Sequence, residues 1–391
     1  MALLLMAGAL VTPAAQNGSA PFAVPVRGVA YPARSAPVPE AACLYARDLP
    51  LIALTGANTV RTYGLIPEAD HTFVAVLESA RLNWLAGFPL EPYYDRTRTL
   101  AEQQETILEA FRRYALRFHG QRRLTGYILG EDVTSGYAQK FAGPPSDYYR
   151  LLSAAAAVLA ATDPEHTPAL GAETGEAAEL AREVPGLAFW SWHTSVRRRP
   201  GEGLPPASRP VLLSVEGGRD ADAGSAAGGV YASFTGEDGL FRSTPTAQPG
   251  MDTLAPRGLY YALAGQWGGT FPASWEEARA PQLVTSGGAV PPGALLRLSG
   301  AALLQTAAPY EDETWPYHLA GSCLCVGSTP ARLSFVAAGT VTALLPATVM
   351  PGTRTLVFYR AGVASNFVQI RLSEVSKATL AGPVLDARLR R

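Results

Sequence analysis

An alternation of strand-like and helix-like segments constrains the fold of this chain more than any other feature of its sequence. Short runs of β-branched and aromatic residues, bounded by turn residues, alternate about eight times with segments whose apolar residues recur at helical spacing. This alternation is typical of parallel βαβ units, which close into a barrel when eight of them follow one another. An open doubly wound sheet is the alternative, but no glycine-rich phosphate loop follows the first strand. We therefore predict an α/β fold, a (β/α)8 TIM barrel over residues 22–280.

The predicted elements of this barrel have the following positions. The strands are 24–32, 58–64, 82–90, 126–133, 167–173, 187–195, 209–218 and 268–275. The helices are 39–56, 69–81, 100–120, 147–163, 175–186 and 257–267. In this assignment the last helix precedes the eighth strand, and the glycine- and alanine-rich stretch 216–229 is a loop over the barrel mouth.

The pattern changes near residue 280, where short strands begin to follow one another about every 8–12 residues with Gly and Pro turns. This spacing predicts a small all-β sandwich of immunoglobulin-like type over residues 285–376, followed by a tail, 377–391. The segment also resembles a C-terminal module recurrent in secreted soil-bacterial proteins, through Pro292-Gly293, Leu319-Ala320-Gly321 and Pro351-Gly352. Such modules are usually spacers or adhesion units, and both a stabilising and a binding role stay open.

The N-terminus has an apolar run of about ten residues, the length of a secretory h-region and too short to span a bilayer. Pro13 and the small residues Ala14 and Ala15 follow it. We therefore expect a signal peptide over residues 1–16 and a secreted or cell-surface protein without a membrane span.

The chain has three cysteines, Cys43, Cys323 and Cys325, too few for a disulfide framework. The last two stand at i and i+2 and point to the same face of a predicted strand. We expect them to be buried apolar residues rather than partners of a bridge or ligands of a metal.

Composition excludes several classes of function. With 48% hydrophobic and 17% charged residues the chain is globular, and a net charge of −1 argues against binding to nucleic acid. The five histidines show no metal-binding spacing, and no Gly-x-Ser-x-Gly elbow is present. No cofactor and no metal are therefore expected.

Acidic and aromatic residues stand where the predicted strands end, and in a barrel those ends carry the chemistry. Glu131 and Asp132 follow the fourth strand, and Glu216 follows the seventh. Glycoside hydrolysis uses two carboxyl groups, one a proton donor and one ionised, while aromatic faces stack on sugar rings. We predict these three acids as catalytic residues of a site for a polysaccharide or oligosaccharide. The predicted substrate-binding residues are Tyr31, Arg61, Tyr63, Trp192, His193 and Trp275.

The stretch 27–63 reads RGVAYP, then CLYARD, then LTGANTVRTY. It resembles the opening of the retaining clan A glycoside hydrolases, in particular the 1,3-β-glucanosyltransferase type, whose pattern is KGV-Y-P, C-RD and LG-NTIRVY. The matching residues are Gly28, Val29, Tyr31, Cys43, Arg47-Asp48, Gly56, Asn58-Thr59, Arg61 and Tyr63. The resemblance implies that Arg61 holds the carboxylate of the nucleophile, since a guanidinium keeps such an acid ionised.

Both predicted acid positions depart from that pattern by one residue. The clan's fourth strand ends in GNE, with the Glu as acid/base, whereas LGED places Glu131 at the Asn position and Asp132 at the Glu position. The seventh strand reads PVLLSVEGG against PVFFSEYG, so Val215 stands at the nucleophile position and Glu216 one step beyond. A slip of one residue turns a strand side chain to the other face.

Two functions follow from these departures. If the strand ends compensate for the slips, the chain is a secreted retaining glycoside hydrolase or transglycosylase acting on a β-glycan. If they do not, it is an inactive glycosidase-like barrel, a carbohydrate-binding or structural protein of the cell surface. We favour the enzyme, because acids stand at both strand ends.

Overall fold

The structure is a computed structural model of the 391-residue chain. It describes residues 22, 24–32, 38–66, 71–164, 168–175, 182, 184–194, 209–215, 228–234, 239–244, 253–270, 280–284, 288–304, 307–310 and 315–374.

Eight parallel strands form a closed ring. They are Val26–Pro32, Thr59–Tyr63, Asn83–Phe88, Leu124–Leu129, Ala169–Thr174, Phe189–Thr194, Val211–Val215 and Gly228–Ser233, referred to below as the first to eighth strands. Each strand pairs with the next in sequence, and the eighth pairs with the first, so that Val26 lies opposite Gly228. The ring is the barrel sheet predicted from the alternation of strand and helix.

Helices cover part of the outside of this ring. Val38–Leu54, His71–Ala80, Leu100–Arg117, Ser146–Thr162 and Gly258–Trp267 are α-helices, Tyr137–Lys140 is a single helical turn, and Glu91–Tyr93 is a 3₁₀ turn. In the described part of the chain a longer helix follows each of the first four strands and the eighth. The helix predicted over 175–186 lies mostly outside the described residues. No described helix is long and apolar enough to cross a membrane.

The eighth strand is not at the predicted position. Gly228–Ser233 closes the ring, whereas residues 268–270 form no strand and 271–275 lie outside the described residues. In a βα unit the strand comes before its helix, so the helix Gly258–Trp267 belongs after the closing strand. The strand begins with two glycines inside the stretch 216–229 that was predicted as a loop, and this composition hid it from a pattern-based prediction.

The helix Leu100–Arg117 shows how local sequence fixes an element. The Thr99 hydroxyl accepts a hydrogen bond from the Glu102 backbone N–H at 3.1 Å, and the Thr99 N–H donates to the Glu102 carboxylate at 2.7 Å. This capping box satisfies two backbone donors that a helix start leaves unpaired. The helix therefore begins at Leu100, as predicted.

Apolar side chains pack in two layers around the ring. Inside it lie Val26, Leu85, Ile128, Phe189 and Leu212. The larger cluster lies between the ring and its helices and includes the buried Trp84 and Trp190. Gly171 makes room for the inner layer, because a Cβ there would lie 2.2 Å from the Phe189 ring.

Beyond residue 280 the described chain is all β. One sheet has five antiparallel strands, Gln282–Val284, Leu295–Ala301, Ala308–Pro309, Arg332–Ala337 and Thr340–Leu344. The other contains Ala289–Val290, Ser322–Val326, Thr329–Pro330, Gly352–Arg360, Val363–Ala364 and Val368–Leu372. Leu298, Leu333 and Phe358 belong to a buried apolar cluster of these sheets, separate from the barrel cores. The predicted all-β character of this region is confirmed.

A disulfide joins these sheets to the barrel, contrary to the sequence prediction for the cysteines. Cys43 on the helix Val38–Leu54 is bonded to Cys325 on the strand Ser322–Val326, with their Cα atoms 6.0 Å apart. Cys323 is a buried free thiol. All three are buried as expected, but the pairing depends on how a helix packs against a strand 282 residues away, which spacing along the chain does not show.

Candidate active site

Arg61 lies inside the barrel, fully buried, in the middle of the second strand. Its guanidinium forms a bidentate ion pair with Glu173 on the fifth strand. Nη1 donates to Oε1 at 3.0 Å, and Nη2 donates to Oε2. Nη1 also lies 3.3 Å from the Ser191 hydroxyl and 3.2 Å from the Ser214 hydroxyl. A buried charge is tolerated only when it is paired in this way.

Glu173 is a residue of the site that the sequence analysis missed. It stands in the stretch ALGAET, which was assigned as a strand without a function for its acid. The available signal was a glutamate near the end of a strand of small residues. Arg61 was predicted to hold a carboxylate, and the one it holds in the structure is Glu173. Glu216 lies outside the described residues.

Tyr63 completes the surroundings of the guanidinium. The guanidinium carbon of Arg61 lies 4.1 Å from the centre of the Tyr63 ring, and the Tyr63 hydroxyl lies 3.3 Å from that of Ser214. Burial raises the pKa of Tyr63 to about 12, which keeps the hydroxyl protonated. The Nε of Arg61 is buried without an acceptor among the described residues, so one donor of the guanidinium remains unused.

Glu131 follows the fourth strand at the mouth of the barrel. Gly130 before it has a φ of 75°, a left-handed conformation that suits glycine and turns the chain out of the strand. The Glu131 carboxyl is partly buried, and no described residue forms a hydrogen bond or an ion pair with it. Burial, aided by the charges of Glu173 and Glu91 and opposed by that of Arg61, raises its pKa to about 7. At pH 7 this carboxyl is therefore about half protonated, and it is mostly protonated at lower pH.

Asp132 differs from Glu131 because hydrogen bonds fix both its backbone carbonyl and its carboxylate. Its φ is 42°, which is uncommon for a residue with a side chain. Oδ1 accepts a hydrogen bond from the Gly175 N–H at 2.9 Å, and the Asp132 carbonyl accepts one from Lys140 Nζ at 2.5 Å. Lys140 also donates to the Ser135 carbonyl at 2.7 Å. Of the two adjacent acids, Glu131 is the one whose carboxyl remains available for chemistry.

The aromatic residues predicted to bind substrate are not all at the mouth. Tyr31 is fully buried between the ring and the helix Val38–Leu54, and its hydroxyl donates to Asp48 at 2.8 Å. Trp192 is partly buried, lies on the strand face opposite that of Ser191, and donates from Nε1 to the Gly175 carbonyl at 3.4 Å. His193 is partly buried next to it. Trp275 lies outside the described residues.

No protein-family model matches the chain, and no curated protein matches its sequence. Solved structures similar to it include an endo-β-1,4-mannanase from Thermotoga petrophila, at 9% identity over 91% of this chain and 100% of that chain, with a TM-score of 0.40. A β-glucuronidase from Bacteroides uniformis is 11% identical over 91% of this chain and 46% of that one, with a TM-score of 0.40. A β-galacturonidase from Eisenbergiella tayi is 11% identical over 63% of this chain and 51% of that one, with a TM-score of 0.42. The chain spans about half the length of the last two proteins. At such identities and TM-scores these likenesses say nothing about the chemistry of the chain.

Proposed function

We propose that this protein is a glycoside hydrolase or transglycosylase that acts on a β-glycan, with Glu131 as its acid/base residue. One observation carries the proposal: a partly buried carboxyl without a partner among the described residues stands at the barrel mouth beside the Arg61–Glu173 pair. Its pKa of about 7 suits a group that must give up a proton and take one back near neutral pH. Two carboxyl groups in contrasting environments are the requirement of this chemistry.

The reaction needs a second, ionised carboxylate. Glu131 would donate its proton to the glycosidic oxygen as the bond from that oxygen to the anomeric carbon breaks. Glu216 is our candidate for the nucleophile, on the basis of the resemblance to the clan A enzymes. A retaining, 1,3-β-glucanosyltransferase-like reaction belongs to this proposal.

Residues near the mouth supply candidates for sugar contacts. Tyr63, Trp192, His193 and Trp275 remain proposed substrate-binding residues, whereas Arg61 is fully buried and is assigned to the interior network with Glu173, Ser191 and Ser214. Tyr31 is buried against Asp48, so we assign it to the packing of the first strand. Asp132 holds the turn that presents Glu131. The all-β region is proposed to be immunoglobulin-like.

A barrel that binds sugar without cutting it is the second candidate. One observation favours it. We expected Arg61 to hold the nucleophile, but its guanidinium already donates hydrogen bonds to Glu173, Ser191 and Ser214. In this case the interior network stabilises the fold and the mouth only recognises carbohydrate.

We also propose that the protein is exported, to the medium or to the cell surface. The Cys43–Cys325 disulfide supports this location, because structural disulfides persist mainly in oxidising compartments. The apolar N-terminal segment predicted as a signal peptide lies outside the described residues.

Release of reducing sugar and formation of longer oligosaccharides from a panel of β-glucans and other β-glycans tests the function. The purified protein is compared with Glu131→Gln and Glu216→Gln, and with Glu105→Gln on an exposed helix face as the matched control. We expect the control to retain full turnover and Glu131→Gln to lose about 10²–10⁴-fold. Binding of a glycan without turnover by the unchanged protein would establish the second candidate instead.

A further inference from the structure

Glu173 lies near the end of the fifth strand, and Glu131 follows the end of the fourth strand beside it. The fourth and fifth strands pair in parallel, with Gly126 opposite Ala169 and Ile128 opposite Gly171. The pairing ends at Ile128 and Gly171; Glu173 lies two residues beyond it on the fifth strand, and Glu131 lies three residues beyond it on the other chain segment, after the turn at Gly130. Neighbouring strands lie about 4.8 Å apart, so the two acids are close neighbours at the mouth.

The Glu173 side chain is held in one position inside the barrel. Both of its carboxylate oxygens accept hydrogen bonds from Arg61. Arg61 also contacts the hydroxyls of Ser191 on the sixth strand and Ser214 on the seventh. The Glu173 side chain is 3% exposed and that of Arg61 is fully buried. A buried, bidentate ion pair of this kind is fixed in geometry.

We propose that Glu173 is a positioning residue for Glu131: an anion, fixed beside it by Arg61, that favours the proton-bearing form of Glu131. This inference rests on the proposed function for its use in catalysis, but the electrostatic relation between the two acids can be measured without turnover.

The charges around Glu131 determine the sign of the effect. The groups that face it are Arg61 and Tyr63 on the second strand, Glu91 and Tyr94 after the third, and Glu173 on the fifth. Lys140 lies nearby, bonded to the carbonyl of Asp132. Among the charges acting on Glu131, Glu173 and Glu91 raise its pKa, and Arg61 lowers it. Without Glu173 the guanidinium would be opposed by one acidic charge fewer, and Glu131 would lose its proton at a lower pH.

Direct titration of Glu131 by carboxyl-carbon NMR tests the proposal on the full chain labelled at glutamate. The Glu131 signal is identified by its absence from the spectrum of Glu131→Gln. In Glu173→Gln we expect the pKa of Glu131 to fall by about one unit or more. The carboxyl would then be half protonated at a proton concentration about tenfold higher. In Ser191→Ala, which removes an uncharged partner of Arg61, we expect the midpoint to stay where it is.

A second variant keeps the test informative if Glu173→Gln folds poorly around an unpaired Arg61. The double variant Arg61→Met/Glu173→Gln removes both charges, and its midpoint should lie well above that of Glu173→Gln because burial of Glu131 persists. An unchanged midpoint in folded Glu173→Gln would overturn the proposal.

Turnover adds an outcome that separates this proposal from the function. The high-pH limb of the pH–rate profile should move to lower pH in Glu173→Gln, with activity retained on the acid side. Loss of turnover at every pH with an unmoved Glu131 titration would show that Glu173 takes part in the chemistry itself and is not a positioning residue. A shifted titration in a protein that cuts no glycan would leave the electrostatic relation standing and reject the proposed enzyme.

Discussion

The raised pKa of Glu131 makes the stability of the folded chain depend on pH. Its carboxyl has a pKa of about 7 in the folded chain and an ordinary one near 4.5 when unfolded. As pH rises through this window, the unfolded chain releases the proton while the folded chain still holds it. Stability contributed by this proton is therefore present below about 4.5 and lost as pH rises through about 7.

A stability measurement can detect this loss. We expect Glu131→Gln to be more stable than the unchanged protein by about 1–3 kcal/mol at pH 8, and nearly equal to it at pH 4. Urea unfolding at the two pH values measures the difference, with Glu105→Gln on an exposed helix face as the matched control. Equal stabilities at pH 8 would mean that the Glu131 carboxyl is well solvated.

Lys140 is a second residue whose effect can be isolated. The chain has only two lysines, at positions 140 and 377. Lys140 donates hydrogen bonds to the carbonyls of Asp132 and Ser135. Its pKa is lowered, chiefly by burial. We expect Lys140→Met to loosen the turn that carries Glu131 and to reduce turnover about tenfold or more. Lys377→Met is the matched control and should leave turnover unchanged, and equal rates for the two variants would contradict this role.

At the scale of elements, the interior of the barrel depends on glycines where strands and rings meet. A Cβ on Gly171 would lie 2.2 Å from the Phe189 ring, whereas Gly265 on the last helix has no atom within 4 Å of such a Cβ. We expect Gly171→Ala to destabilise the protein by about 1–3 kcal/mol and Gly265→Ala to stabilise it slightly. Thermal unfolding of the two variants measures both, and a tolerated Gly171→Ala would show that the ring can move aside.

The elements were predictable to the extent that their patterns are local. Seven of the ring strands and the helices with clear apolar spacing lie within a few residues of their predicted positions, and Thr99 and Glu102 explain one boundary in atomic terms. The eighth strand was missed because its two glycines suggest a loop. Glu173 was missed because its importance comes from Arg61, which is 112 residues away and meets it only when the ring has closed.

At the scale of the whole molecule, the first helix of the barrel is also an interface with the all-β region. Arg47 and Asp48 on this helix form a buried ion pair, Asp48 accepts a hydrogen bond from Tyr31, and the guanidinium of Arg47 lies 5.3 Å from the centre of the Tyr359 ring. The disulfide reinforces the same contact. Such contacts were not predictable, because sequence patterns describe each region separately.

Removal of the disulfide should therefore weaken both regions together. We expect Cys43→Ser to lower the free energy of unfolding by about 2–5 kcal/mol, with the barrel and the sheets unfolding in one transition. Differential scanning calorimetry measures the transition, and the unchanged protein with and without a reducing agent provides the comparison. Two separate transitions in the unchanged, oxidised protein would show that the two regions unfold independently.

The Cys43–Cys325 bond also determines what becomes of the protein after limited proteolysis. A single cut of the backbone anywhere between these two residues leaves both fragments covalently attached. Nicked molecules would therefore keep their full mass on a non-reducing gel and separate into two bands only after reduction. For a protein that we propose to be exported, the bond would retain the ring and its sheets in one particle after damage by extracellular proteases.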